Sequence, residues 1–155
     1  MARVSQADLA EADAHLPPAA RLLFRRMPRE GQAHALRVLR DLKRAGETQP
    51  SLLVAALLHD TGKSATRVGP LTRSIFVAIK RLAPAWLDRL QAIGWRKPLI
   101  ALRDHPRAGA EWASRAGCDA LTVSLIARHQ ERINGAVLSE EDRLLKALQG
   151  VDNRN

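Results

Sequence analysis

Histidine and aspartate side chains are distributed along the chain in a pattern that could hold metal ions. The candidate ligands are His34, His59, Asp60, His105, His129 and Asp152. Imidazole nitrogens and carboxylate oxygens bind divalent transition metals, and a bound metal can activate water for attack on phosphorus. This pattern therefore indicates a metal site with hydrolytic potential.

The adjacent pair His59 and Asp60 is the most informative part of the pattern. It follows the wholly apolar run 52–58. An imidazole and a carboxylate at the end of a buried element are costly unless they are hydrogen-bonded or bound to metal. The Asp60 carboxylate could bridge two cations while His59 binds one. An equally weighted alternative is a helix C-terminus at which His59 simply meets the last carbonyls.

The other four candidates are weaker when each is taken alone. His34 stands on a predicted core-lining helix, where a histidine is more often a buried, hydrogen-bonded residue than a ligand. His105 precedes a proline at a predicted helix junction, while His129 and Asp152 follow apolar runs. The whole set, on separate elements and using almost every histidine, is hard to ascribe to chance.

The elements that must position these residues are predicted to be helices throughout. The predicted helices are residues 5–15, 18–27, 29–45, 52–60, 71–82, 85–93, 98–104, 106–116, 119–132 and 139–149, with a loop at 64–70. Apolar residues recur with helical spacing, Leu and Ala favour helix, and Pro and Gly mark the boundaries. Ser5 and Asp8 have capping-box spacing. Gly109 would let another backbone approach closely.

Composition indicates one domain with an aliphatic core. The 155 residues are 46% apolar, with three Trp, two Phe and no Tyr. A chain of this length can bury about two-thirds of the surface that it exposes when unfolded. Cys118 is the single cysteine, which excludes an intrachain disulfide and favours a reducing compartment. We see neither a signal peptide nor a membrane-length apolar run, so we expect a cytoplasmic protein.

The formal net charge of +9 favours anionic partners. The charges are spread along the chain, so an ordinary basic surface is the preferred explanation. No nucleic-acid motif accompanies the charge. We expect a small anionic substrate. The sequence does not determine the oligomeric state, and a homodimer is one possibility. The basic segment 71–97 could meet a membrane surface or a partner helix, but Pro84 and Gly94 divide it into short pieces.

The order of these motifs resembles the HD-domain superfamily of metal-dependent phosphohydrolases. Residues 57–63, Leu-Leu-His-Asp-Thr-Gly-Lys, are similar to the family signature. The other matching segments are 34–38 for the first-histidine helix, 105–110 and 128–132 for the extra histidine motifs of HD-GYP and other dinuclear HD proteins, and 147–152 for the terminal aspartate helix.

The resemblance covers about residues 30–155 and implies a compact all-α bundle. Residues 1–28 would be an N-terminal helical extension and residues 29–155 the HD domain, within one globular unit. It also departs from the HD-GYP group in two ways. Gln130 stands where that group has a second histidine, and the Gly-Tyr-Pro signature is absent. Both departures argue against hydrolysis of cyclic di-GMP.

The resemblance implies a role for each candidate residue. The first metal ion would be held by His34, His59, Asp60 and Asp152. Asp60 would bridge to a second ion completed by His105 and His129. Asp60 and Lys63 would be the catalytic residues, with the Lys63 ammonium on a phosphate oxygen. Lys63 could alternatively be an ordinary charge at a helix C-terminus. The cofactor would be one or two divalent ions, of iron, manganese or a similar metal.

Arginines near these motifs could add contacts to the phosphate. The candidates are Arg67, Arg73, Arg103, Arg107 and Arg128. Most are expected to be surface charges, and we expect at most two of them to bind substrate. Arg107 and Arg128, which stand next to histidine motifs, are the two that we assign to the substrate together with Lys63.

The function expected from the resemblance is hydrolysis of a phosphoester or phosphoanhydride bond, with a nucleotide as the substrate. Two other classes stay open. Some HD-like proteins with the same six ligands are di-iron oxygenases, which iron content and oxygen uptake would identify. A non-catalytic module that binds a nucleotide or a partner would show stoichiometric binding without turnover.

Overall fold

The computed structural model describes residues 3–65, 105–133 and 139–155, and these ranges are helical without any strand. The helices are α1 (Gln6–His15), α2 (Pro18–Arg26), α3 (Arg29–Arg44), α4 (Pro50–Leu58), α5 (His105–Arg115), α6 (Ala120–Arg128) and α7 (Glu140–Asp152), with a 3-10 helix at Thr61–Ala65. The predicted all-α fold is confirmed.

Side-chain caps begin several of these helices. The Ser5 hydroxyl accepts from the backbone N–H of Asp8, and the Asp8 carboxylate accepts from the backbone N–H of Ser5, so the predicted capping box is present. Asp119 caps α6 and Ser139 caps α7 in the same way, each through its side-chain oxygen. Such caps satisfy backbone N–H groups that have no partner inside the helix.

Helix α4 lies at the centre of the bundle. Every residue from Leu52 to Leu58 is buried, and α4 packs against α1, α2, α3, α6 and α7. A helix that is apolar on all sides needs neighbours on all sides. The choice of helix over strand for this run is confirmed, and the position of α4 carries the residues that follow it into the interior.

Helices α1 and α2 belong to the same hydrophobic core as α3 and α4. Ala12, Leu16, Ala20, Phe24 and Met27 are all buried in it. The domain boundary proposed near residue 28 therefore does not separate two cores, and its place stays a prediction from the sequence.

Several element ends differ from the predicted ones. Helix α4 stops at Leu58 instead of residue 60, α6 stops at Arg128 instead of residue 132, and α7 continues to Asp152 instead of residue 149. Helix α5 begins at His105, and residues 64–65 belong to the 3-10 helix rather than a loop. At the first two ends a histidine ring bonds back to a carbonyl of the preceding turn, while burial of Val151 extends α7.

Some predicted elements lie outside the described residues. They are the helices at 71–82, 85–93 and 98–104, the loop from residue 66 to residue 70, the turn at Asn134-Gly135 and the basic segment 71–97. Among the helices that are described, none has the length and apolar character needed to cross a membrane.

Candidate metal centre

Helices α4 and α6 both end in a histidine that is oriented in the same way. The Nδ1 atom of His59 lies 3.0 Å from the carbonyl oxygen of Ala56, and Nδ1 of His129 lies 2.7 Å from that of Ile126. A ring nitrogen that faces a carbonyl must carry the proton. In the neutral ring, Nε2 is then the nitrogen with a lone pair, which is the form that binds metal.

The Nε2 atoms of both histidines are buried without a hydrogen-bond partner in the described part of the chain. His59 is fully buried and His129 is 5% exposed. Buried polar atoms without partners are rare in folded proteins and call for an explanation such as an ion. A metal ion at each Nε2 would supply the missing partner, so the donor set fits the metal that the sequence indicates.

The first group of donors joins His34, His59 and Asp152. His34 Nε2 lies 2.8 Å from Asp152 Oδ1, and His59 Nε2 lies 3.3 Å from the same oxygen without hydrogen-bond geometry. All three donor atoms are within 4.8 Å of one another. Packing of α3 against α4 and α7 brings them together. We call this set the first triad.

The second group of donors joins Asp60, His105 and His129. The Nε2 atoms of His105 and His129 lie 3.8 Å and 3.9 Å from Asp60 Oδ1. The same carboxylate oxygen is 3.7 Å from His59 Nε2 of the first triad. We call this set the second triad. Asp60 Oδ1 thus stands between the two triads.

The four histidine rings form a continuous row. Ring centroids are 5.4 Å apart for His34 and His59, 5.3 Å for His59 and His129, and 5.4 Å for His105 and His129. The histidines and aspartates selected from the sequence are therefore brought into one cluster by five separate segments of the chain.

Glycine at position 62 allows the second triad to assemble. A Cβ atom at Gly62 would lie 1.9 Å from the carbonyl oxygen of His105, which no real structure tolerates. On the facing helix, the position of a Cβ at Gly109 lies 3.2 Å from the backbone nitrogen of Gly62. The close approach predicted at Gly109 is therefore present, and it sets His105 opposite Asp60.

The carboxylates in the cluster are held in their charged form. Burial acts to raise the pKa of Asp60, but the charges of His59 and Lys63 outweigh it and lower that pKa to about 2. Burial likewise opposes ionisation of Asp152, but the hydrogen bond from His34 and the nearby His59 ring keep the pKa of Asp152 far below its usual value. The carboxylate oxygens of both residues are therefore free of protons at neutral pH and can act as acceptors.

The two helix-terminal histidines respond oppositely to their surroundings. Burial acts to lower the pKa of His59, but the carboxylates of Asp60 and Asp152 outweigh it and raise that pKa. Burial and the nearby charge of His59 lower the pKa of His129 to about 4. The carboxylates thus favour the charged form of His59, whereas burial favours the neutral form of His129, which is the form that binds metal.

Lys63 lies at the edge of the cluster. Its Nζ atom is 2.6 Å from Asp60 Oδ2, while Asp60 Oδ1 faces the histidines. Lys63 and Asp60 are three residues apart across the start of the 3-10 helix, which brings their side chains to one side. The ammonium is thus beside the candidate ligands, while its role toward phosphate stays a prediction.

The two arginines assigned to substrate differ in their surroundings. Arg107 is exposed in the first turn of α5, and no ion pair joins it to another described residue. The Arg128 guanidinium lies 2.8 Å from Glu131, 2.5 Å from Glu141 and 2.9 Å from Asp142. A phosphate would have to displace these carboxylates to reach Arg128, which argues against the substrate contact predicted for it.

Two glutamines near the cluster were not assigned a role from the sequence. The Gln130 amide is 3.3 Å from His105 Nε2. The Gln149 amide donates to the carbonyl oxygen of His129 at 3.1 Å and to that of Glu131 at 2.7 Å. Gln149 stands three residues before Asp152, a spacing that puts both on one helix face and that could have drawn attention to it.

The fold and the cluster define an all-α protein with a mixed histidine and carboxylate donor set. A family model described as HD domain matches residues 31–154. The chain belongs to the HD-domain family, whose members are generally metal-dependent hydrolases. No curated protein and no solved structure matches the chain. Membership in the family is confirmed, while the likeness to the extra histidine motifs stays a prediction.

Proposed function

We propose that this protein is a metal-dependent phosphohydrolase that cleaves a phosphoester or phosphoanhydride bond, with a nucleotide as substrate. The observation that carries the proposal is the position of Asp60 Oδ1, 3.7–3.9 Å from the Nε2 atoms of His59, His105 and His129. A single carboxylate placed between two sets of imidazoles suits a centre in which two cations share one ligand.

The proposed ligand sets follow the two triads. His34, His59 and Asp152 hold one ion, His105 and His129 hold the other, and Asp60 contacts both. Divalent ions held there would activate water and offset the negative charge that develops on phosphorus. A donor set of four imidazoles and two carboxylates suits iron, manganese or a similar divalent metal.

The proposed contacts to substrate come from Lys63 and Arg107. Asp60 holds the Lys63 ammonium beside the ligand set, where a phosphate oxygen near the ions would meet it. Arg107 projects from the turn of α5 that begins with His105. Two carboxylates do not neutralise two divalent ions, so the loaded centre keeps a positive charge that attracts an anionic substrate.

Metal content and phosphate release together test this function. The protein, purified without chelator or reconstituted with Mn²⁺ and Fe²⁺, is expected to hold about two ions per chain by elemental analysis. It is expected to release phosphate or a nucleoside phosphate from members of a nucleotide panel. Asp60→Ala should lose both metal and turnover. Asp41→Asn, which alters an aspartate of α3 that is not a candidate ligand, is the control.

The same experiment separates the other functions. Uptake of oxygen by the protein loaded with two irons, without phosphate release, would identify an oxygenase. Stoichiometric nucleotide binding without turnover would identify a binding module. Full metal content and turnover in Asp60→Ala would show that the metal site has been assigned to the wrong residues.

A further inference from the structure

The chain that follows α6 is held in part by another helix, whereas the end of α4 is held by the residues that follow it. The last carbonyls of any helix lack partners within the helix and must find them elsewhere. After α4, the Thr61 hydroxyl donates to the carbonyl of Leu58, and the backbone N–H of Lys63 donates to that of Asp60. The residues that follow His59 thus satisfy this end locally.

After α6 the carbonyl of Arg128 also accepts locally, from the backbone N–H of Glu131, but two further carbonyls accept from α7. The side-chain N–H groups of Gln149 donate to the carbonyls of His129 and Glu131. The His129 ring is fixed by its bond to Ile126, but the backbone that carries the ring is fixed by Gln149. The position of His129 therefore depends on the position of α7.

Helix α7 also carries a residue of the other triad. Asp152 stands one helical turn after Gln149 and bonds His34. A single turn of α7 thus touches both triads, with a carboxylate in the first and with an amide that holds the backbone of the second. The adjacent residues His59 and Asp60, which follow α4, also belong to different triads. Among the described helices, only α7 touches both triads with side chains that lie within the helix.

We propose that Gln149 is a positioning residue that couples the two halves of the metal centre. An ion bound by His34, His59 and Asp152 fixes the end of α7. Through Gln149, that turn fixes His129 for the second ion. The two ions then bind with positive coupling, because the first has already ordered a ligand of the second. This inference rests on the dinuclear centre of the proposed function.

The variant that tests the coupling is Gln149→Met, which keeps the length of the side chain and removes its N–H donors. Loss of a group that orients a ligand from outside the ligand set typically weakens metal binding about 10- to 100-fold. We expect a loss of this size for the second ion and little change for the first. Asn153→Ala removes an exposed amide next to Asp152 that makes no side-chain hydrogen bond to another described residue, and is the matched control.

Titration of the metal-free protein with Mn²⁺, followed by electron paramagnetic resonance and calorimetry, measures both ions. Wild type and Asn153→Ala should give a spin-coupled pair at two equivalents. Gln149→Met should give the spectrum of an isolated ion at two equivalents, with the coupled pair at higher concentration. Circular dichroism of the metal-free proteins checks the fold, and Gln149→Ala replaces the Met variant if that variant does not fold.

The outcomes distinguish this inference from the proposed function. If wild type binds two ions and Gln149→Met binds the second with unchanged affinity, the role of Gln149 is wrong while the dinuclear centre stands. An equal loss for both ions would also overturn it, since that result would mean a general weakening of α7. If wild type itself never binds two ions, the proposed centre fails and the coupling falls with it.

Discussion

The two triads of the candidate metal centre are built from different kinds of structure. The first triad rests on the packed helices α3, α4 and α7, and its imidazole and carboxylate already bond each other at 2.8 Å. The second triad rests on a turn, a helix start and a helix end, and its donors stand 3.8–3.9 Å from the carboxylate. Helix packing shapes both triads, since α5 packs on α6 and on the 3-10 helix, but the second triad also needs the close backbone contact between Gly62 and His105.

The carboxylates of the two triads are also held differently. Within the described ranges, the Asp152 carboxylate pairs with the imidazoles of His34 and His59, which are candidate ligands of the same triad. Asp60 gives one oxygen to the ammonium of Lys63 and turns the other toward the histidines. We infer that the first triad is the self-contained half and that the second depends more on residues that are not ligands.

Gly62→Ala should break the second triad while sparing the first. The added Cβ would lie 1.9 Å from the backbone oxygen of His105, so α5 must move away from Asp60. Overpacking against backbone costs about 1–3 kcal/mol or more. We expect a lower melting temperature and one bound ion in place of two, measured by calorimetry and elemental analysis.

The control for this change is Gly31→Ala on α3, where the nearest atom to a new Cβ is 3.7 Å away. Ala in a helix interior is favoured over Gly by about 0.5–1 kcal/mol, so this variant should be as stable as wild type or more so. Two bound ions and unchanged stability in Gly62→Ala would contradict the close-contact account of the second triad.

The metal-free protein should respond to acid through His129. Its pKa is lowered to about 4 in the folded state, from 6.5. Between these values the unfolded chain binds the extra proton, so stability falls as the pH falls through this window, by up to about 3 kcal/mol at its acid end. His129→Gln should remove the contribution of His129 to the pH dependence of stability in urea unfolding measured from pH 7 to pH 4.

His59 in the first triad should behave in the opposite sense. Its pKa is raised above 6.5, so the folded protein holds a proton that the unfolded chain releases. The stabilisation is full below pH 6.5 and disappears as the pH rises through the raised pKa. His59→Gln should therefore cost more stability at pH 6 than at pH 9. The same sign of change for both histidines would contradict the contrast between the triads.

Convergence of the six candidate ligands could be expected from the sequence, although their roles as ligands stay predictions. Apolar runs that end in His59 or His129 predict buried helices with a polar tip, and the position of the tip follows from burial of the run. The sequence predicted a close backbone approach at Gly109 but did not predict that Gly62 would be its partner. The partner depends on how two segments that are distant in the chain meet.

Other features depended on contacts that no local pattern reveals. The hydrogen bonds of Gln149 join residues 20 and 18 positions apart in the chain, and an amide side chain in a predicted helix does not by itself indicate such a partner. Arg128 likewise meets acidic residues of α7, which α6 reaches only after folding. The ends of α4 and α6 were predicted too far along the chain. A histidine ring that bonds back to its own helix cannot be distinguished in the sequence from a histidine inside a longer helix.

Replacement of Lys63, which contacts the carboxylate of the second triad, should weaken substrate binding more than metal binding. Lys63→Met removes a charge that can bind a phosphate oxygen, and hydrogen bonds to charged groups contribute about 1.5–3 kcal/mol. We expect KM for the nucleotide to rise by about tenfold or more, with two ions still bound. Lys63→Arg should recover part of the loss. Loss of metal in Lys63→Met would instead mean that Lys63 mainly positions Asp60.

The smallest effect is expected from the two arginines, and it should separate binding from structure. Arg128 joins α6 to the start of α7 through Glu141 and Asp142, so Arg128→Gln should lower stability by about 1 kcal/mol, as a partly exposed ion-pair network allows. The KM of this variant for the nucleotide should equal that of wild type, because the Arg128 guanidinium is already paired with carboxylates.

Arg107→Gln should do the reverse, raising KM a few-fold at low ionic strength with no change in melting temperature. If Arg128→Gln raises KM instead, its carboxylate partners must release it when substrate binds, and the second triad then lies nearer to the substrate than the first.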